Sequence, residues 1–211
     1  MVSPLHAIVD VDVASRAGWT PVDLARAFLD GGASLIQLRA KPLSSRAFLE
    51  LCDTLVALAK PSGAHIVVND RVDIARLSGA AGVHVGQDDL PPVHARQQLG
   101  PDAIVGYSTH TVEQVEGAPL YALSYIAIGP VFATTTKDTG YDAVGLDMVR
   151  AASARAKGVP VVAIGGITLD RAASVMAVGA SAVAVIGDLL VTGDPRGRVR
   201  AYLQTLAKFR V

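Results

Sequence analysis

An α/β fold, a single (β/α)8 TIM barrel spanning residues 1–211, is what this sequence predicts, and three observations predict it. Eight short apolar runs recur at intervals of roughly 20 to 30 residues, with helix-like segments between them. The runs lack clean polar alternation, as expected of parallel strands covered on both faces. Five of them are followed by groups of charged or hydrogen-bonding side chains, and in a barrel the segments after each strand converge on one face, where active sites lie.

The strands are expected at residues 5–9, 35–38, 65–68, 82–85, 103–106, 125–128, 161–164 and 182–186. After the first, Thr20 reads as an N-cap with Pro21 at the first helical position. Val22, Ala25, Phe28 and Leu29 then share one helical face, and Gly31-Gly32 ends the helix. Residues 44–59 repeat the theme, with Phe48, Leu51, Leu55 and Leu58 at helical spacing. Further helices are expected at 73–77, 92–99, 112–116, 146–156, 169–178 and 196–209. A doubly wound open sheet would not need eight such regular units, so the closed barrel is preferred. The chain has 211 residues, fewer than the ~250 typical of such barrels, and should carry few decorations.

Composition narrows the function classes. Nineteen acidic and nineteen basic residues give a formal net charge of zero, so no global field favours nucleic acid or an anionic membrane. The single cysteine, Cys52, excludes an internal disulfide and suits a reducing compartment. No basic, then apolar, then small-residue leader opens the sequence. Of the two long uncharged stretches, 117–136 is interrupted by Gly129, Pro130 and three threonines, and 172–187 is shorter than a usual span of roughly 20 residues. The expectation is a soluble cytoplasmic protein that acts on small molecules; its oligomeric state is not read from the sequence.

Gln37, Arg39 and Lys41 alternate across the end of the second strand, and period-two geometry places all three on one face. Two cations with an amide donor form an anion clamp, the arginine reading oxygen pairs and the lysine acting as a point charge. A solvated strand end with salt bridges is the competing reading. Asp70 and Asp89 follow consecutive strands; hard carboxylate oxygens without His or Cys at ligand spacing favour Mg²⁺ over zinc. Asp70 or Asp89 alone reads more readily as a helix cap or loop hydrogen-bonder, and Asp88 competes with Asp89 for the metal.

Ser108 and His110 lack a Gly-x-Ser-x-Gly elbow, so a substrate hydrogen bond from Ser108 is preferred to nucleophilic attack. His110 is left between a loop cap and a functional role, and His6, His65 and His84 are read as structural. Thr134-Thr135-Thr136-Lys137 offers hydroxyls and a cation to an anion. Gly165-Gly166 after the seventh strand and Ile186-Gly187 at the eighth suit the phosphate site that barrels often build there.

Taken in order, the motifs Gln37-Leu38-Arg39-Ala40-Lys41, Asn69-Asp70-Arg71, Gly86-Gln87-Asp88-Asp89, Gly129-Pro130 through Lys137 and Ile164-Gly165-Gly166-Ile167 resemble those of the thiamine-phosphate synthase family. The resemblance runs from Leu5 to about Gly187. It implies a Mg²⁺-dependent transferase joining hydroxymethylpyrimidine diphosphate to thiazole phosphate, or to its carboxylated form with loss of carbon dioxide. The products would be thiamine phosphate and pyrophosphate. It further implies that Gln37, Arg39, Lys41, Asn69, Ser108 and Lys137 contact the pyrimidine diphosphate. By the same resemblance Asp70 and Asp89 hold Mg²⁺, while Thr134, Thr136, Gly166, Ile186 and Gly187 receive the thiazole phosphate. Arg39, Lys41, Ser108 and Lys137 are the catalytic candidates. The implied chemistry is dissociative: the C–O bond breaks, an electron-rich aminopyrimidine stabilises the cation, and the thiazole nitrogen attacks.

One departure stands out. Gly187 occupies a position where the family often has serine, and Asp188 adds a negative charge beside the expected phosphate, so its side chain should point away. The alternatives are a thiazole tautomerase sharing the barrel and a non-catalytic thiazole-phosphate-binding barrel. Retention of Arg39, Lys41, Asp70, Asp89 and Lys137 favours the synthase.

Overall fold

The computed structural model describes residues 3–134 and 141–209. Its strands are β1 (Leu5–Asp10), β2 (Leu35–Arg39), β3 (His65–Asn69), β4 (Gly82–Val85), β5 (Ile104–Thr109), β6 (Tyr125–Ile128), β7 (Val161–Ile164) and β8 (Ala182–Val185). All pair in parallel with their sequence neighbours, and β8 closes onto β1. The helices are α1 (Val11–Arg16), α2 (Pro21–Asp30), α3 (Ser45–Ala59), α4 (Val72–Ser78), α5 (Pro92–Leu99), α6 (Val112–Glu116), α7 (Gly145–Arg155), α8 (Leu169–Ala177) and α9 (Pro195–Leu206). No helix among the described residues is long and apolar enough to cross a membrane.

The expected barrel is present, and most strands match their expected bounds to within a residue; three strand ends bear on the site. The second strand stops at Arg39, so Lys41 lies in the turn beyond it rather than on the strand. The fifth runs to Thr109, which places Ser108 on the strand itself. The eighth ends at Val185, one residue short of the expected end. The short α1 was not foreseen. Thr20 caps α2 as expected, accepting from the Asp23 N–H at 3.1 Å, with Pro21 at its start.

Alternation along the strands sorts the core into two layers. Val9, Leu38, Val68, Val85, Ile128 and Val183 face outward and pack with the helices in one cluster. Ile8, Tyr125, Ala127, Val162, Ala182 and Ala184 form a second cluster inside the barrel. Both faces are apolar in β6, β7 and β8, whereas the inward faces of the other strands also carry polar side chains such as His6, Gln37, Asn69 and His84; because these too are buried, the runs show no exposed polar face.

The lower barrel also holds His6, fully buried, with neither ring nitrogen hydrogen-bonded among the described residues. Its ring meets Tyr125 edge-on at 4.8 Å. Burial, then the neighbouring His84, lowers the His6 pKa from 6.5 to about 3, so the ring stays neutral. A histidine with a lowered folded-state pKa contributes fully above its unfolded value, and the contribution is lost as pH falls from about 6.5 towards 3. Acidification from pH 8 to pH 5 is expected to remove about 2 kcal/mol of stability through this residue. Urea unfolding of the wild type and of His6→Leu at both pH values checks it. A stability difference between the two proteins that does not change with pH would refute the assignment.

Candidate active site

β2 supplies the first cluster. Gln37, Arg39 and Lys41 all line a cavity of about 860 Å³ at the C-terminal ends of the strands. Arg39 Nη1 forms an ion pair with Asp10 Oδ2, its direct neighbour in the β1–β2 register. Asp10 is buried, and its Oδ1 accepts from the Val13 N–H at 3.0 Å, which caps α1. Lys41 Nζ lies 2.5 Å from Asp70 Oδ2. Both cations of the expected clamp are thus already held by carboxylates.

β3 and β4 supply the acids. Asn69 is buried at the end of β3 and lines the cavity. Asp70, next in sequence, has φ +65°, and its N–H donates to the His84 carbonyl at 2.8 Å. After β4 the chain turns so that the Gly86 N–H donates to Asp89 Oδ2 at 2.7 Å. Burial raises the Asp89 pKa above the ordinary carboxylate value; the adjoining Asp70 carboxyl raises it further, and Gly86 and Lys41 oppose the shift. Asp88 also lines the cavity but is exposed to solvent. It is Asp89, therefore, that adjoins Asp70.

Below these groups runs a hydrogen-bonded series across four strands. Gln37 bonds to Tyr125. The Tyr125 hydroxyl lies 3.0 Å from His84 Nδ1, and His84 Nε2 lies 2.8 Å from Ser108 Oγ. Burial raises the Tyr125 pKa, so the phenol stays protonated. The register explains the contact: His84 is level with Gly106, and Gly106 with Tyr125. A side chain at Gly106 would collide with both rings. The Ser108 carbonyl accepts from Gln87 Nε2 at 2.6 Å, fixing the loop after β4 to β5.

The other side of the cavity is built from backbone. The Gly129-Pro130 peptide is cis, and the Gly129 carbonyl accepts from His110 Nδ1 at 2.5 Å. His110 stacks on Tyr141 with ring centroids 3.8 Å apart, and both line the cavity. Thr134, Gly165, Gly166, Ile186 and Gly187 complete that wall. Gly166 has φ +60°, and a Cβ there would strike the Ala133 carbonyl and Phe132. Asp188 does not present its carboxylate as a free charge. Oδ2 accepts from the Leu169 N–H at 3.1 Å, from Arg198 Nη2 at 2.8 Å and from the Tyr202 hydroxyl at 2.6 Å.

The profile of the thiamine monophosphate synthase family matches residues 5–189. The chain is 44% identical over 204 residues to the thiamine-phosphate synthase of Koribacter versatilis, covering 96% of this chain and 95% of that one. It belongs to the thiamine monophosphate synthase family. A second relative, the thiamine-phosphate synthase of Roseiflexus castenholzii, is 41% identical over 187 residues, 89% of this chain and 82% of the other. Among solved structures, the thiamine phosphate pyrophosphorylase of Pyrococcus furiosus superposes with a TM-score of 0.87 at 30% identity, covering 98% of this chain and 96% of that one. Family membership makes the protein a transferase of thiamine biosynthesis, and it favours neither the tautomerase nor the binding barrel.

The cavity combines charged side chains from the ends of β2, β3 and β4 with glycine-rich backbone after β7 and β8. Gln37, Arg39, Lys41, Asn69, Asp70, Asp89, Ser108, Thr134, Gly166, Ile186 and Gly187 all line it. Thr136 and Lys137 lie outside the described residues. Among the described residues no three His, Cys, Asp or Glu side chains are grouped to hold a metal. Two carboxylates suffice for Mg²⁺, which completes its shell with water and substrate phosphate. The adjoining Asp70 and Asp89 carboxylates provide hard oxygen donors such an ion takes, although Lys41 now balances the charge of Asp70, so the donor set fits the metal. Asp10, His84, Tyr125 and Arg171 were not among the residues expected to matter. Asp10 could have been found as a carboxylate at the end of a strand, as Asp70 and Asp89 were in the loops just beyond theirs.

Proposed function

We propose that the whole barrel, residues 1–211, joins hydroxymethylpyrimidine diphosphate to thiazole phosphate in the cytoplasm, giving thiamine phosphate and pyrophosphate. The observation that carries this reading is one cavity with two anion-receiving walls: Arg39, Lys41, Asp70 and Asp89 on one side, and the Gly165-Gly166 and Ile186-Gly187 backbone on the other.

Asp70 and Asp89 would hold Mg²⁺, which when bound neutralises charge on the diphosphate. Arg39 and Lys41 supply donors where negative charge grows as the C–O bond breaks. Arg39 is held in place for this by Asp10. Gln37, Asn69 and Ser108 orient the pyrimidine, and the His84 contact fixes the Ser108 hydroxyl. Lys137 is assigned to the diphosphate, and Thr134, Thr136, Gly166, Ile186 and Gly187 to the thiazole phosphate. No protein nucleophile is required, because the thiazole nitrogen attacks; positioning and charge neutralisation perform the catalysis.

Purified protein mixed with both substrates and Mg²⁺ is expected to form thiamine phosphate, detected by mass, and to stop on chelation. Undiminished product in the presence of excess chelator would refute the metal assignment. Absence of product from folded protein would refute the reaction.

A further inference from the structure

The acceptor's phosphate brings negative charge to the wall built by the loops after β7 and β8. Asp188 already stands there, but Arg198 balances it at 2.8 Å. The first N–H of α8, from Leu169, is also taken by Asp188. What remains at that wall is Arg171, in the first turn of α8, whose side chain lines the cavity beside Gly166.

Arg171 differs from the other cavity cations. Arg39 is paired with Asp10 and Lys41 with Asp70. Among the described residues Arg171 has no carboxylate partner, and the groups it touches are neutral. Its Nη1 donates to the Gly166 carbonyl at 3.1 Å, and its guanidinium lies 4.6 Å from the centroid of the Phe132 ring. Those contacts hold the group beside the phosphate wall without cancelling its charge. A guanidinium has five N–H donors, so the single bond to Gly166 leaves donors for a phosphate oxygen. Phe132 also lies in the segment leading to Thr134, so the cation–π contact ties Arg171 to a second part of the same wall.

We infer that Arg171 binds the phosphate of the thiazole substrate and determines preference for the phosphorylated over the unphosphorylated acceptor. This rests on the synthase reading above. Two measurements separate the two claims. Wild-type turnover tests the reaction, and calorimetric binding of thiazole phosphate without the pyrimidine substrate tests Arg171 independently of turnover.

Arg171→Ala is expected to weaken thiazole-phosphate binding about 10-fold, and to raise KM for it by a similar factor, as loss of a charge-assisted hydrogen bond predicts. The KM for pyrimidine diphosphate and the KM for the unphosphorylated thiazole alcohol should stay within about 2-fold of wild type, since neither uses this contact. Arg171→Lys should recover part of the affinity as a point charge. Binding of thiazole phosphate unchanged in Arg171→Ala overturns the inference. So does an equal loss for the phosphorylated and unphosphorylated acceptors, which would mean that Arg171 only shapes the Phe132–Gly166 wall. Absent wild-type turnover with this binding pattern intact would instead overturn the synthase reading alone.

Discussion

Asp70→Asn is expected to lower kcat by on the order of 10²- to 10³-fold while the dissociation constant for thiazole phosphate hardly changes. Asparagine is the informative replacement. Asp70 adopts φ +65°, a conformation that Asn and Asp tolerate far better than other non-glycine residues. The variant therefore keeps the backbone turn, and with it the bond from the Asp70 N–H to the His84 carbonyl. What it removes is one of two adjoining carboxylates and the counter-charge of Lys41. If the pair holds Mg²⁺, half its protein-supplied charge disappears, and the Mg²⁺ concentration needed for half-maximal rate should rise along with the fall in kcat. The acceptor wall, built from the loops after β6, β7 and β8, is untouched. Normal turnover at ordinary Mg²⁺ would remove Asp70 from the catalytic assignment. A parallel loss of thiazole-phosphate binding would show that the substitution had damaged the cavity as a whole.

Much of this architecture is legible in the sequence, because a parallel barrel writes itself as repeated apolar runs divided by glycine and proline. Every one of the eight runs became a strand. What the sequence could not display was which residues meet across strands. The Tyr125–His84 contact joins positions 41 apart and exists because Gly106 stands between them in register without a side chain. Arg171 reads on paper as an ordinary solvated residue in a helix's first turn; only barrel closure brings Phe132 beneath it. The missed α1 has six residues, too few to display a helical period, and it begins directly at the Asp10 cap with no intervening loop. Charge alone argued that the Asp188 side chain should point away from a phosphate; that its carboxylate is engaged by the Leu169 N–H, Arg198 and Tyr202 could not be read from the sequence.

Asp10 leads to the second large effect, on stability as well as rate. It is 3% exposed, accepts from Arg39 and from the Val13 N–H, and thereby joins a cation of the cavity to the first turn of α1. In Asp10→Ala, Arg39 keeps its charge in a largely buried position without a partner, a loss worth about 3 to 5 kcal/mol for a fully buried pair. The lost cap adds about 1 kcal/mol. Arg39 is 16% exposed, so the lower end of that range applies, and a total near 4 kcal/mol is expected by urea unfolding. A second substitution distinguishes this cause from simple core damage. Adding Arg39→Met to Asp10→Ala removes the orphaned charge, and replacing a buried pair by apolar groups is often close to neutral, so most of the stability should return and leave only the cap deficit of about 1 kcal/mol. Activity should not return, because the guanidinium that faces the diphosphate is gone. If instead the double variant is no more stable than Asp10→Ala, the aspartate acts on the barrel through packing rather than through its partner. Recovered stability with persistent loss of turnover would mean that the ion pair secures the end of β1 and that the reaction needs the Arg39 guanidinium itself.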